Sequence, residues 1–261
     1  MDRPALSPFS QRVQQGFARR AGSYAQHARL QRALAWRLAH HCRSLPLPNG
    51  PAADLGAGTG LVGEALLAQA GAEALGRPLL QVDLCPALLG HNRLAGRHGA
   101  LEWNLDHGLP PQLQGAALLC SSFALQWLEQ PERQLQHWCQ QLAPGGWLAL
   151  TLPVAGSFPQ WQQAAERAGV PCTALALPAA RCLIAVAEQE LEPSTLRVEQ
   201  LQFSRREGDG RRFLQGIRAI GASSSRNPGL GPQGLRRLLQ HWPAGEEITW
   251  TVLLLIGQRP R

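Results

Sequence analysis

Lysine is missing from this chain: all 25 of its Lys and Arg residues are arginine. Tyrosine and methionine occur once each. Paired cysteines are missing too. The six cysteines stand at 42, 85, 120, 139, 172 and 182, with no CxxC spacing and no nearby histidine at zinc-ligand separation. Neither a disulfide framework nor a metal site is therefore expected. Most of these cysteines lie in apolar runs, where a reduced thiol acts as a small hydrophobe, a usage that fits the cytoplasm. No apolar run nears the roughly 20 residues that span a bilayer; the run at 252–256 reads as a strand. The opening MDRPALSPFSQRVQQGF carries no apolar h-region, so no signal peptide is expected. No internal repeat is visible.

What remains is material for a globular core. The 261 residues are 44% hydrophobic and 16% charged, which argues against disorder and for one α/β domain with insertions. The formal charge of +7 suggests an acidic partner, whether nucleic acid, a phosphorylated substrate or an acidic carrier protein. A GC-rich coding bias accounts for arginine in place of lysine. It does not account for the excess of basic over acidic residues.

Residues 9–43 read as one or two helices, with Leu30, Leu34 and Leu38 at i, i+4, i+8 and arginines on the other faces. LPLPNG then breaks the helix. Short strands are expected at 51–55, 78–83, 115–120 and 147–152, with helices after 61, over 86–96 and over 131–142, where Leu135, Trp138 and Leu142 share a face. Such β-α alternation implies a doubly wound, mostly parallel sheet. After residue 156 the pattern changes: a helix at 157–168, strands at 195–203 and 248–256, and between those strands two helices separated by a Gly- and Ser-rich loop. Two late strands with a helical insertion between them suit a seven-stranded sheet with an antiparallel edge.

The segment Asp54-Leu55-Gly56-Ala57-Gly58-Thr59-Gly60 stands where a strand turns into a helix. Glycines there permit a tight turn and let backbone N–H groups approach a ligand. Asp83 ends the next strand, 23 residues after Gly60, where a carboxylate can accept from both hydroxyls of a ribose. Nicotinamide and flavin cofactors usually want GxGxxG. The GxGxG spacing after an acid resembles instead the loop of S-adenosylmethionine (SAM)-dependent methyltransferases, in which Asp54 would accept, directly or through water, from the methionine ammonium. Asn104, between the expected strands at 78–83 and 115–120, is placed to accept from the adenine amino group. Leu84, Leu105 and Ser121 follow or end neighbouring strands and complete the expected cofactor lining. Ser121 to Trp127 should border the transfer point, with Phe123 or Trp127 packing on the sulfonium by cation–π attraction.

Three stretches carry a closer resemblance. They are Phe17-x-Arg19-x-Ala21-x-x-Tyr24-x-x-His27-Ala28-x-Leu30-Gln31; Ser121 to Trp127 with Pro144-Gly145-Gly146 and Thr151 to Ser157; and Ile217-Arg218-Ala219-Ile220-Gly221-Ala222, followed by a helix ending in Trp242-Pro243. On these the chain resembles the malonyl-acyl carrier protein O-methyltransferases of biotin synthesis over nearly its whole length. It departs from that pattern in Ala57, in Asn104 and Ala117, which replace acids, and over 170–192.

The resemblance implies a Rossmann-like methyltransferase domain over 1–261. An N-terminal helical cap (1–45) would precede a SAM-binding core (46–156) and a substrate-side part (157–261) with the insertion and the last two strands. It also implies methyl transfer to the free carboxylate of a malonyl thioester, which needs alignment rather than a general base. Tyr24 would hydrogen-bond the methionine end of SAM, Arg19 would pair with its carboxylate or brace the cap, and Arg218 would orient the malonyl carboxylate. The acidic acyl carrier protein would dock on Arg205, Arg206, Arg211, Arg212, Arg236 and Arg237. Another small carboxylate, a quinone precursor or RNA is the alternative acceptor; no RNA-binding module is visible, and nucleic acid is the weaker partner. A non-catalytic binding protein that kept the fold is the reading from a different class.

Overall fold

A computed structural model describes residues 5–71, 75–206, 208–243, 245 and 247–261. The first four residues of the segment in which no signal peptide was expected lie outside the described ones. So does the start of the expected cap. The chain opens with three helices: α1 (Pro8–Ala18), α2 (Ala21–His27) and α3 (Arg29–Cys42). Ser7 caps α1 by accepting from the Ser10 amide at 3.0 Å, with Pro8 at the first helical position. The alternating core follows as β1 (Ala52–Leu55), α4 (Leu61–Ala70), β2 (Leu79–Asp83), α5 (Pro86–Leu89), α6 (Ala95–His98), β3 (Ala100–Glu102), β4 (Ala116–Ser122), α7 (Pro131–Gln141) and β5 (Leu142–Pro153). The rest is α8 (Pro159–Ala168), α9 (Ala180–Glu190), β6 (Arg197–Arg206), α10 (Gly210–Ala219), α11 (Pro232–Gln240) and β7 (Glu247–Gln258).

The seven strands form one sheet in the order β3-β2-β1-β4-β5-β7-β6. β7 runs antiparallel to both neighbours; the other paired strands are parallel. The edge is antiparallel, as expected: β6 holds it and pairs antiparallel with β7. The winding reverses between β1 and β4, the switch point at which ligands of open α/β sheets bind.

Alternation along the central strands divides the core. Leu119, Leu148, Leu150, Leu253 and Leu255 face one side, with Leu135 and Trp138 of α7 and Leu183 and Ala187 of α9. Their sequence neighbours Leu118, Cys120, Ala149, Leu254 and Ile256 face the other, with Ala35, Leu38 and Cys42 of α3 and Val62 and Leu66 of α4. A third cluster, around Trp161, Phe213 and Trp242, packs α8, α10 and α11 together above the end of the sheet. Among the described residues no helix is long and apolar enough to cross a membrane, and no group of His, Cys, Asp or Glu could hold a metal ion.

Two elements differ from the pattern read in the sequence. The helix expected over 86–96 is two short turns. Asn92 leaves the helix to donate to Gln81 Oε1 at 2.8 Å while its Oδ1 accepts from the Leu94 amide at 2.9 Å. α9 was not anticipated, because apolar residues surround it nearly all round and mask the i, i+4 period of Leu183 and Ala187.

Trp138 is wholly buried at the centre of the first core face. Trp138→Ala is expected to cost about 3–5 kcal/mol, read as a lower midpoint in urea unfolding with an unchanged slope.

Candidate functional site

The switch point is shaped by the turn between β1 and α4. The Gly56 and Ala57 amides both donate to the Val82 carbonyl, at 2.8 and 3.0 Å. The Gly58 amide donates to Asp83 Oδ2 at 2.8 Å, and the Cys85 amide donates to Asp83 Oδ1 at 2.7 Å. Gly56 is in the left-handed region at φ +73, and a Cβ there would meet Ala124 Cβ at 2.1 Å. Only glycine closes this turn. Gly60 serves a different end: its missing Cβ leaves room for Asn92 Oδ1, 2.5 Å from where that atom would stand, and Gly60 itself does not line the cavity.

Above the turn lies a cavity bordered by Gly56, Ala57 and Gly58, by Leu84 and Cys85 after β2, by Asn104 to Asp106 after β3, and by Ser122 to Ala124 after β4. Asp54 and Asp83 stand on its floor. Asp54 is 1% exposed, and neither of its carboxylate oxygens has a protein partner. Burial, and secondarily the Asp83 carboxylate, pushes its pKa up to about 8. Burial also raises Asp83, to about 6, against the lowering effect of the Cys85, Gly58 and Leu84 amides. Two buried carboxylates, one of them unpartnered, call for a ligand carrying a cation and hydroxyl donors.

The N-terminal helices roof this cavity. Gln14 donates from Nε2 to the Leu84 carbonyl at 2.9 Å, and the Ser10 hydroxyl donates to Asp106 Oδ2 at 3.2 Å. Phe17 meets Trp127 edge-on at 5.5 Å and Tyr24 at 6.1 Å. Tyr24 lines the cavity, and burial and the Asp83 charge push its phenol above the ordinary range. Ser7 and Arg226 both donate to the Glu129 carboxylate, and the Arg226 guanidinium stacks 4.0 Å over the Phe9 ring. At its other end α1 touches the insertion backbone to backbone: a Cβ on Gly16 would lie 2.7 Å from the Gly221 carbonyl.

A second chamber shares Gln31, Phe123 and Trp127 with the first. It is aromatic, with Phe158, Trp161, Phe213 and Trp250 in its walls, and Arg29 and Arg205 supply positive charge. Phe123 and Phe158 both have φ +58, a strained conformation for a bulky residue and one that clusters at ligand sites. A third hollow adjoins the second at Trp161, Thr173, Ile217, Ser223 and Ser224.

Most of the expected cofactor residues converge on the first cavity: Tyr24, Asp54, Gly56, Gly58, Asp83, Leu84, Asn104 and Leu105. The Asn104 side-chain oxygen also accepts from the Asp106 amide at 3.0 Å, which fixes the local turn. Four of the expected site residues, Gly60, Ser121, Arg19 and Arg218, do not line the first cavity. Ser121 is buried and donates to the Leu55 carbonyl at 2.8 Å, tying β4 to β1, while its neighbour Ser122 faces the cavity. Arg19 and Arg218 are exposed and line the third hollow rather than the cofactor cavity or the aromatic chamber; Arg218 follows Ile217, the residue that separates the chamber from the hollow. Ser10, Gln14, Asp106, Arg29 and Phe158 escaped the sequence reading. No local motif marks them, because they reach the site only through helix packing and a positive φ.

The sheet order and the glycine turn at its switch point define the Rossmann-like fold of the SAM-dependent methyltransferases. Geranyl diphosphate C-methyltransferase from Streptomyces coelicolor A3(2), solved with Mg2+, geranyl diphosphate and S-adenosyl-L-homocysteine, shares that fold at a TM-score of 0.51 and 16% identity, covering 98% of this chain and 86% of that one. Sequence similarity is more particular. The chain is 35% identical over 162 residues to the malonyl-[acyl-carrier protein] O-methyltransferase of Alcanivorax borkumensis (59% of this chain, 52% of the relative). It is 29% identical over 263 residues to the biotin biosynthesis bifunctional protein BioCD of Bordetella avium (98% of this chain, 54% of the relative). The resemblance read from the three sequence stretches is therefore borne out. The chain spans about half the length of these curated relatives. No protein-family model matches it.

The Asp54 carboxyl binds its proton more tightly in the folded chain than in the unfolded one, whose value is near 3.8. Its contribution to stability is full below that value and is lost as pH rises toward about 8. The ligand-free protein is expected to melt at progressively lower temperature from pH 5 to pH 8, and Asp54→Asn to flatten that slope; parallel slopes in the two proteins would contradict the assignment.

Proposed function

We propose that this chain transfers the methyl group of SAM to the free carboxylate of a malonyl thioester carried on an acyl carrier protein. The observation that carries the reading is the meeting of two chambers at Phe123 and Trp127: one floored by buried carboxylates, the other aromatic and arginine-lined. The name of the Alcanivorax borkumensis relative supplies the substrate class.

The first cavity fits the cofactor on its own chemistry. Asp54 offers an unsatisfied buried carboxylate to the methionine ammonium. The Asp83 oxygens accept the Gly58 and Cys85 amides and keep lone pairs for ribose hydroxyls. Tyr24 is proposed to bond the methionine end, and Leu84, Asn104 and Leu105 to border the adenine. When bound, SAM supplies an electrophilic methyl group on a positively charged sulfur.

The chain's own residues then do the positioning. A malonyl carboxylate is already ionised near neutral pH, so no base has to be found. Arg29 and Arg205 stand in the acceptor chamber and take over the orienting role that the sequence gave to Arg218. A carboxylate oxygen forms the new bond to carbon as the methyl–sulfur bond breaks, giving a methyl ester and S-adenosylhomocysteine. The aromatic walls and the α1 roof exclude water from this alignment, which is catalysis by placement. The exposed Arg206, Arg211, Arg212, Arg236 and Arg237 are the proposed docking face for the acidic carrier. This reading places the protein in the cytoplasm, in keeping with six free thiols.

Purified protein with labelled SAM is expected to methylate malonyl-acyl carrier protein and to leave the acetyl form unlabelled, with transfer falling as salt rises. No transfer to any malonyl thioester would overturn the reading. Asp83→Ala is expected to weaken SAM binding at least about tenfold in calorimetry, the loss of a charge-assisted hydrogen bond.

A further inference from the structure

The third hollow is the most arginine-rich of the three spaces. Arg12, Arg19 and Arg218 line it, and no aspartate or glutamate does. Among the described residues, none of the three makes an ion pair; Arg12 donates to the Ser225 carbonyl at 3.4 Å, lies 5.9 Å over the Phe9 ring and helps to hold the Glu129 carboxyl below its ordinary range from a distance. Nearby Arg226 pairs directly with Glu129, which lies outside the hollow's wall. Three cations turned into one concavity without a carboxylate repel one another unless an anion joins them. Ser223, Ser224 and Ser225 add hydroxyls to the same wall, and Asn227 an amide.

The hollow is also continuous with the acceptor chamber. Trp161, Thr173, Ile217, Ser223 and Ser224 line both. A ligand lying across this boundary would have an anionic end among the arginines and a slender, weakly polar body running inward past Ile217 and Trp161. Arginine is the side chain that best matches a phosphate, by paired N–H donors.

We infer that the hollow binds the phosphate of a phosphopantetheine arm, whose thiol end then lies in the aromatic chamber. The inference deepens the malonyl-thioester reading and rests on it for the identity of the arm. It assigns Arg19 and Arg218 to holding the arm at its far end, away from the transferred methyl. It also separates them from the arginines proposed to dock the carrier protein itself. The same phosphate chemistry is offered by an acyl carrier protein and by coenzyme A.

The test is a binding titration on the full chain with 4′-phosphopantetheine and with pantetheine, which differ only in the phosphate. The phosphorylated form is expected to bind at least about tenfold tighter, the worth of one charge-assisted contact. The double variant Arg19→Gln/Arg218→Gln should erase that gap while binding pantetheine as the wild type does, and Arg218→Lys should restore part of it. Both positions are exposed, so thermal melting should be unchanged. Equal affinity of the wild type for the two compounds would overturn the inference. So would a double variant that weakens both alike. Coenzyme A and holo-acyl carrier protein form the further arms. Weakening of both by the double variant supports a shared phosphate site, whereas weakening of the carrier protein alone overturns it in favour of protein docking. If no malonyl thioester is methylated yet the phosphate-dependent gap persists, the substrate reading falls and the anion site stands.

Discussion

The hydrogen bond from the Gly58 amide to Asp83 is the contact on which the site is built. It joins the turn after β1 to the end of β2, and with the Val82 carbonyl it fixes how the backbone folds over the switch point. The same carboxylate holds the start of the next segment through Cys85. Remove that clasp and neither the glycine cradle nor the wall at Leu84 has a defined position. The arrangement keeps two carboxylates out of water close together, a cost that a cationic, hydroxyl-bearing ligand offsets. The stability of the empty protein and its affinity for such a ligand therefore pull in opposite directions at Asp54.

From this floor the molecule extends as a series of three spaces, each sharing wall residues with the next. Trp127 and Phe123 stand between the first and second, Ile217 and Trp161 between the second and third. Their chemistry grades from buried anionic, through aromatic with arginine, to exposed cationic. The grading follows from the fold. The first space lies in the sheet's switch point, the second between the sheet end and the insertion, and the third where α1 meets the insertion's serine-rich loop.

Much of this was legible in the residues, and what was not has physical reasons. The alternation of strands and helices, the glycine turn and Asp83 are local signals, since each depends on neighbours within one β-α-β unit. The order of the last two strands was harder, because nothing in a strand's own sequence says whether β7 lies outside β6 or inside it. Arg218 shows the limit of motif reasoning: its stretch marks the insertion correctly, but one residue's difference along α10 decides whether a side chain meets the chamber or the hollow. Ser121 fell to the same parity within a strand. The roof residues Ser10 and Gln14 left no signal, since their partners are some 70 to 100 residues away in sequence.

The contact between Gly16 and Gly221 ties the first two spaces together. The roof over the first cavity and the insertion beside the second touch there through bare backbone, and Phe17, the next residue, rests on Trp127 at the junction of the two chambers. One short helix thus serves as the door to both rooms. A shift of that helix would change the walls of both spaces at once. Side chains at those two glycines would wedge the door ajar without touching any atom that reacts.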